Sequence, residues 1–187
     1  MIFQAINFIK SVLPASVDAD LGNIGEIVAS AGNNHGTSPL IISLVNIEEN
    51  RLSRDPSNYV RGSDGITLLK KNPAVHLNLT LLFTSVRHEG GYELALNDIQ
   101  QVIGHFQKQY VFDRATNPQV PDGIERLVLE MISLNLEQLH QLWSMLGGKY
   151  HPSVAYKMRM VTIDSVTEES GPLITDIESN YFLKDKA

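Results

Sequence analysis

Residues 74–86 alternate with a period of two. Val75, Leu77, Leu79, Leu81 and Phe83 are apolar, and His76, Asn78, Thr80 and Thr84 stand among them. An extended strand places such a series on one face. Gly90-Gly91 interrupts it, and the period then changes. Tyr92, Ala95, Leu96, Ile99, Val102, Ile103, Phe106 and Tyr110 mark one side of a helix about five turns long. Asn97, Asp98, Gln100, Gln101, Gln107 and Lys108 are read as its polar side. A long strand followed by a long amphipathic helix confines the chain to folds in which helices lie on a sheet.

The remaining segments extend this pattern. Ile2, Ala5, Ile6, Ile9, Val12 and Leu13 follow helical spacing, so residues 1–13 are read as an N-terminal docking helix closed by Pro14. The stretch is no secretory signal, because it lacks a basic start and Gln4, Asn7 and Lys10 break its apolar run. Cytosolic synthesis is therefore the default expectation. Residues 14–39 are rich in Gly, Asn, Ser and Ala and predict loops, with a short strand over 24–30. Residues 40–50 start apolar and turn acidic, as a strand buried on both faces at its start would. The polar run 51–72, punctuated by Pro56, Gly62 and Gly65, reads as a loop long enough to be functional.

A second long strand is expected over 125–136. Its apolar phase passes from Leu127, Leu129 and Met131 to Ile132, Leu134 and Leu136. Either a β-bulge or a change of covering layer produces that shift. Asn135 and Gln138 form a capping-box pattern that opens a short helix. Leu139, Leu142, Trp143 and Leu146 are its buried stripe, and Gly147-Gly148 ends it. A third long strand over 153–164 sets Val154, Tyr156, Met158 and Met160 on one face and Lys157 and Arg159 on the other. The predicted fold is α+β: a single mixed or antiparallel sheet with helices packed mainly on one face, in one domain over 1–187.

Composition removes whole classes of function. With 15 Lys+Arg against 21 Asp+Glu the net charge is −6, which argues against nucleic acid as a partner. No cysteine is present, so disulfides, a thiolate nucleophile and cysteine-ligated zinc are excluded. No run of about 18 apolar residues marks a membrane span. His35, His76, His88, His105, His140 and His151 show no His-x-His or His-x3-His pair, and they are read as structural or solvated. There is no Gly-x-Ser-x-Gly elbow. Leu21-Gly22-Asn23-Ile24-Gly25 lacks the third glycine of a phosphate cradle. No catalytic, cofactor-binding or metal residue is assigned, and the chain does not read as an enzyme.

Three segments resemble one family. They are Leu40-Ile-Ile-Ser-Leu-Val-Asn-Ile-Glu-Glu-Asn50-Arg51, then Asn72-Pro73-Ala74-Val75-His76 running on to Thr84, and the most specific, residues 142–159. The last carries Trp143, Gly147, Gly148, Tyr150, Pro152, Ser153, Tyr156 and Lys157 as its family motif. Together they are similar to the tail-terminator or cap proteins of extracellular contractile injection systems, the antifeeding-prophage type, and to phage tail terminators. The similarity covers roughly residues 1–168.

The resemblance implies a ring, hexameric in expectation, at the distal end of a tail tube and sheath. There it would end polymerisation and anchor the last sheath layer. Tube and sheath proteins would be its partners, with assembly in the cytoplasm into a phage tail-like particle and with no nucleic acid, membrane or cofactor. Relatives often carry a further C-terminal domain, which this chain is expected to lack. Residues 169–187 are read as a C-terminal tail, and the long segment 51–72 and the tail from Pro172 to Ala187 are expected to make intersubunit or tube contacts, with Tyr59, Arg61, Tyr181 and Phe182 as the candidates. The alternatives are another ring-forming neck or baseplate component, or a small metal-dependent hydrolase.

Overall fold

The structure, a computed structural model, describes residues 1–29, 39–50, 59–61, 68–71, 76–87, 91–162 and 166–170. In chain order the elements are α1 (Ile2–Val12), β1 (Ala19–Leu21), α2 (Ile24–Ala29), β2 (Leu40–Glu49), β3 (Tyr59–Arg61), β4 (Leu68–Lys71) and β5 (Leu77–Ser85). They continue with α3 (Tyr92–Lys108), β6 (Val111–Asp113), β7 (Ile124–Ile132), α4 (Leu136–Met145), β8 (Ser153–Thr162) and β9 (Val166–Ser170). The chain divides into two units, Met1–Arg54 with Ala74–Ile163, and Asp55–Pro73 with Asp164–Ala187. In the smaller unit, β3, β4 and β9 form an antiparallel three-stranded sheet. Strands therefore occur within 51–72, which the sequence reads as loop. At three and four residues they are too short to show a period.

The larger unit is built on a six-stranded mixed sheet of order β1-β2-β5-β8-β7-β6. β1 runs parallel to β2, and every other neighbouring pair is antiparallel. The alternation legible in β5 and β8 is what the sheet uses. Leu79, Leu81, Phe83, Tyr156, Met158 and Met160 point to one face and are almost fully buried there. Burying each such side chain contributes about 1.5–3 kcal/mol.

α1 and α3, the two longer helices, cover that face. Phe106 of α3 stacks its ring 5.6 Å from Phe83 and 5.1 Å from Tyr156. α1 meets both outer strands within one helical turn. Lys10 Nζ reaches Asp20 Oδ1 of β1 at 2.8 Å, and Phe8 packs edge-on at 5.6 Å from Phe112 of β6. The sheet is thus curled around α1.

The opposite face is covered at one end by the short helices. Ile24 and Val28 of α2 and Trp143 of α4 form a second core with Ile41, Leu82 and Ala155. The α+β class and the grouping of the main helices match the expectation. Residues 24–29, however, are helical and not a strand. The reason is tertiary: Ser43 Oγ accepts the Ile24 N–H at 3.2 Å and donates to the Gly22 carbonyl at 2.6 Å. This satisfies a free helix-start donor from a residue far along the chain.

The phase shift in β7 is a change of covering layer. Leu127 and Leu129 lie in the first core, whereas Ile132 and Leu134 pack against the second. The register shift of β7 lies at its other end, between Ile124 and Arg126.

Candidate assembly surface

Most motif residues converge on the connection from α4 to β8. Asn135 Oδ1 accepts the Gln138 N–H at 2.8 Å, and Gln138 Oε1 accepts the Asn135 N–H at 3.1 Å, closing the expected capping box. Gly147 and Gly148 then adopt φ of +108° and +78°. The Gly148 N–H bonds the Trp143 carbonyl at 2.7 Å, which ends the helix in a left-handed turn. Trp143 is buried, with its ring 5.8 Å from those of Tyr150 and His151, while Tyr150 is exposed. Pro152 is buried, and its carbonyl accepts the Ser85 N–H at 3.0 Å, fixing the turn to the end of β5. Ser153 opens β8 opposite Thr84.

Beyond the turn the motif divides between two faces. Tyr156 belongs to the first core, and burial raises its phenol pKa above the ordinary value. Lys157 points the other way and pairs with Glu48 Oε2 at 3.3 Å. Tyr59 and Arg61 are the first and last residues of β3, with side chains outside the described set, and Tyr181 and Phe182 lie outside the described residues.

Among the described residues a side chain at Gly148 meets no atom within 4 Å, so its cost there is conformational, set by the φ of +78°. Gly148→Ala should destabilise by about 1–2 kcal/mol and the β-branched Gly148→Val by more. Gly148→Asn should be milder than either. Thermal unfolding of the three variants checks that order.

The half of the second face not covered by α2 and α4 is polar. Arg159 pairs with Glu130 across β7 and β8, and Lys157 pairs with Glu48 of β2. All four side chains are roughly a third to a half exposed, so each pair contributes at most about 1 kcal/mol.

Between the polar and apolar halves lies an open groove of about 400 Å³. Gly22, Asn23, Ile24, Ser43, Leu44, Val45, Leu142, Met145 and Leu146 line it. Met145 is 78% exposed and Leu44 37% on its rim. The sequence did not mark these residues as a site. Val45 is the extra residue of a bulge in β2, and nothing local in the sequence announces it.

Two histidines are half-buried. His105 and His151 both have pKa values lowered from the ordinary 6.5, first by burial and then by Lys108 and Lys149 respectively. The unfolded chain takes up protons near pH 6.5 that the folded chain resists. Stability is therefore expected to be full above about pH 6.5 and to fall as pH drops through the lowered values. Unfolding midpoints measured from pH 7.5 to 5 should show this decline, and His151→Gln should flatten it. Among the described residues no cluster of three or more metal-ligating side chains occurs, and no helix is long and apolar enough to cross a membrane.

The larger unit is thus a curled α+β sheet with a shaped aromatic turn and apolar rims, and no catalytic cluster is assigned to it. The family model for the Pvc16 N-terminal domain matches residues 4–176, and the chain belongs to that family. Two solved structures share the fold. One is a cryo-EM structure of an extracellular contractile injection system, the PVC sheath/tube terminator in the extended state. It has 16% identity and a TM-score of 0.55, over 100% of this chain and 62% of that one. The other is the anti-feeding prophage cap, described as the AFP tube terminating cap, with 15% identity and a TM-score of 0.59 over 97% and 60%. The chain spans about three fifths of the length of each. No curated protein matches it in sequence. The family and these structures are of terminator and cap proteins, not enzymes, in line with the non-catalytic reading of the sequence.

Proposed function

We propose that this chain is the terminator of a contractile injection system. In this reading it forms a ring, hexameric by expectation, on the distal end of the tail tube and sheath. It ends their polymerisation and anchors the last sheath layer. The observation that carries this is the family match across 4–176, supported by a shared fold with two terminator structures. The surface suits such a role: Leu136, Met145, Tyr150, Phe3 and Tyr92 are all more than half exposed. Apolar side chains left outward in this number are consistent with faces covered by neighbouring subunits. The motif residues Trp143, Gly147, Gly148, Tyr150 and Pro152 act here by holding the α4–β8 turn in shape.

Electron microscopy of particles made without this protein tests the reading. Tails of uncontrolled length or loose distal sheaths are expected, and particles of normal length and ending would overturn it. Native mass spectrometry of the purified chain reads the ring directly.

A further inference from the structure

α4 is lightly held. Of its ten residues only Trp143 is buried, whereas α3 buries Ala95, Asp98, Ile99, Val102 and Phe106. Leu139, Leu142 and Leu146 are partly covered, and Leu136 and Met145 stand outward. After the helix, Gly147 and Gly148 form a joint at positive φ. Farther on, the Pro152 carbonyl is tied to β5 by the Ser85 N–H at 3.0 Å. Between joint and anchor lies His151, half-buried, with its ring 5.8 Å from that of Trp143.

We propose that α4 is a releasable strap over the second core, and that His151 is the group through which acid releases it. This goes beyond the ring reading and does not depend on it. A neutral imidazole lies against the buried indole at little cost, but an imidazolium there gives up water. Lys149, two residues away in the same turn, adds a second positive charge. Both effects lower the pKa of His151, burial first. The other charged or titratable groups of the elements packed here are turned elsewhere. Glu137, His140 and Tyr150 are exposed, and Glu26 lies in the first turn of α2. Arg87 is taken up by Asp98, and Glu48, Glu130, Lys157 and Arg159 pair among themselves in the polar half of that face. With α4 lifted, His151 meets water and titrates near the ordinary value of about 6.5. The open form therefore binds the proton more readily. Below about pH 6.5 its share rises by up to about tenfold per unit until the lowered value is passed. Opening bares Ile24, Val28, Ile41, Leu82 and Ala155, an apolar surface the closed form covers. A helix of ten residues is marginal alone in water, so release also frees its amides.

Trp143 is the one tryptophan of the chain, so its fluorescence reports this layer alone. Acrylamide quenching of the full chain should rise several-fold from pH 7.5 to 5, while β5 and β8 keep their protection in hydrogen exchange. Over the same range the protection of residues 139–146, corrected for the intrinsic pH dependence of exchange, should fall several-fold. His151→Gln should remove both changes, and His105→Gln should leave them. Quenching and protection that stay flat with pH overturn the proposal. So does a change that persists in His151→Gln, or one that β5 and β8 share, since that is unfolding of the whole sheet. Should His151→Gln fail to fold, the titration of the His151 ring, followed by NMR in the unaltered chain, takes its place. That titration must track the quenching, and a ring that titrates apart from it overturns the assignment.

Discussion

Trp143→Ala is expected to destabilise the protein by about 3–5 kcal/mol, since it empties a site in the smaller core that has little means of collapse. Trp143 is 4% exposed and sits among Ile24, Val28, Ile41, Leu82 and Ala155. It also carries the carbonyl that closes the Gly147-Gly148 turn and the ring that Tyr150 and His151 lean on. The loss should lower the unfolding midpoint by about 10 °C or more in a chain of this size. Trp143→Phe makes a sharper test. Among the described residues the buried indole N–H has no partner, so phenylalanine removes ring volume and no hydrogen bond seen there. Its cost should stay below about 2 kcal/mol. If both variants proved equally mild, Trp143 would not be the anchor of the α4 layer.

Asp98→Ala carries the second largest effect. Asp98 lies on the sheet side of α3, 5% exposed, and takes three charge-assisted hydrogen bonds. Arg87 Nε donates to Oδ2 at 2.8 Å and Nη2 to Oδ1 at 2.9 Å, while Ser85 Oγ donates to Oδ2 at 2.8 Å. The pair holds the Arg87 guanidinium above its usual pKa, chiefly through the hydrogen bond. Removing the carboxylate leaves the buried Ser85 hydroxyl without its acceptor and the guanidinium without its counter-charge. Because the Arg87 side chain keeps 26% of its surface in water, the expected loss is about 2–3 kcal/mol, below that of a fully buried pair. Asp98→Asn should lose about half as much. A double-mutant cycle with Arg87→Ala should show a coupling of at least about 1 kcal/mol.

Asp98 also shows where the sequence stops being informative. Placed among Asn97 and Gln100, it reads as part of a solvated side. Its partners come from the end of β5, and only the folded chain shows that an acid can be buried there. The long period-two strands, the α4 stripe and its capping box are legible because each depends on neighbours within a few residues. α2 is not, because one turn with Ile24 and Val28 buried is too short to separate from a strand, and its first N–H is met by Ser43. β1 and β6, at three residues each, show no period at all. The groove joins residues 22–24, 43–45 and 142–146, so no single stretch of sequence outlines it.

The position of β8 has a consequence for how the chain is made. It is the last strand of the six-stranded sheet in sequence, yet it lies between β5 and β7. Until residues 153–162 leave the ribosome, two long apolar strands each lack a neighbour, and the helix that bridges the outer strands has nothing complete to close. Such distant pairing makes folding slow and late. A prematurely ended product would expose both gaps at once and be prone to aggregation and clearance. Only a chain synthesised through β8 can therefore close the sheet, so truncation anywhere before residue 162 is expected to cost the whole six-stranded unit and not its last strand alone.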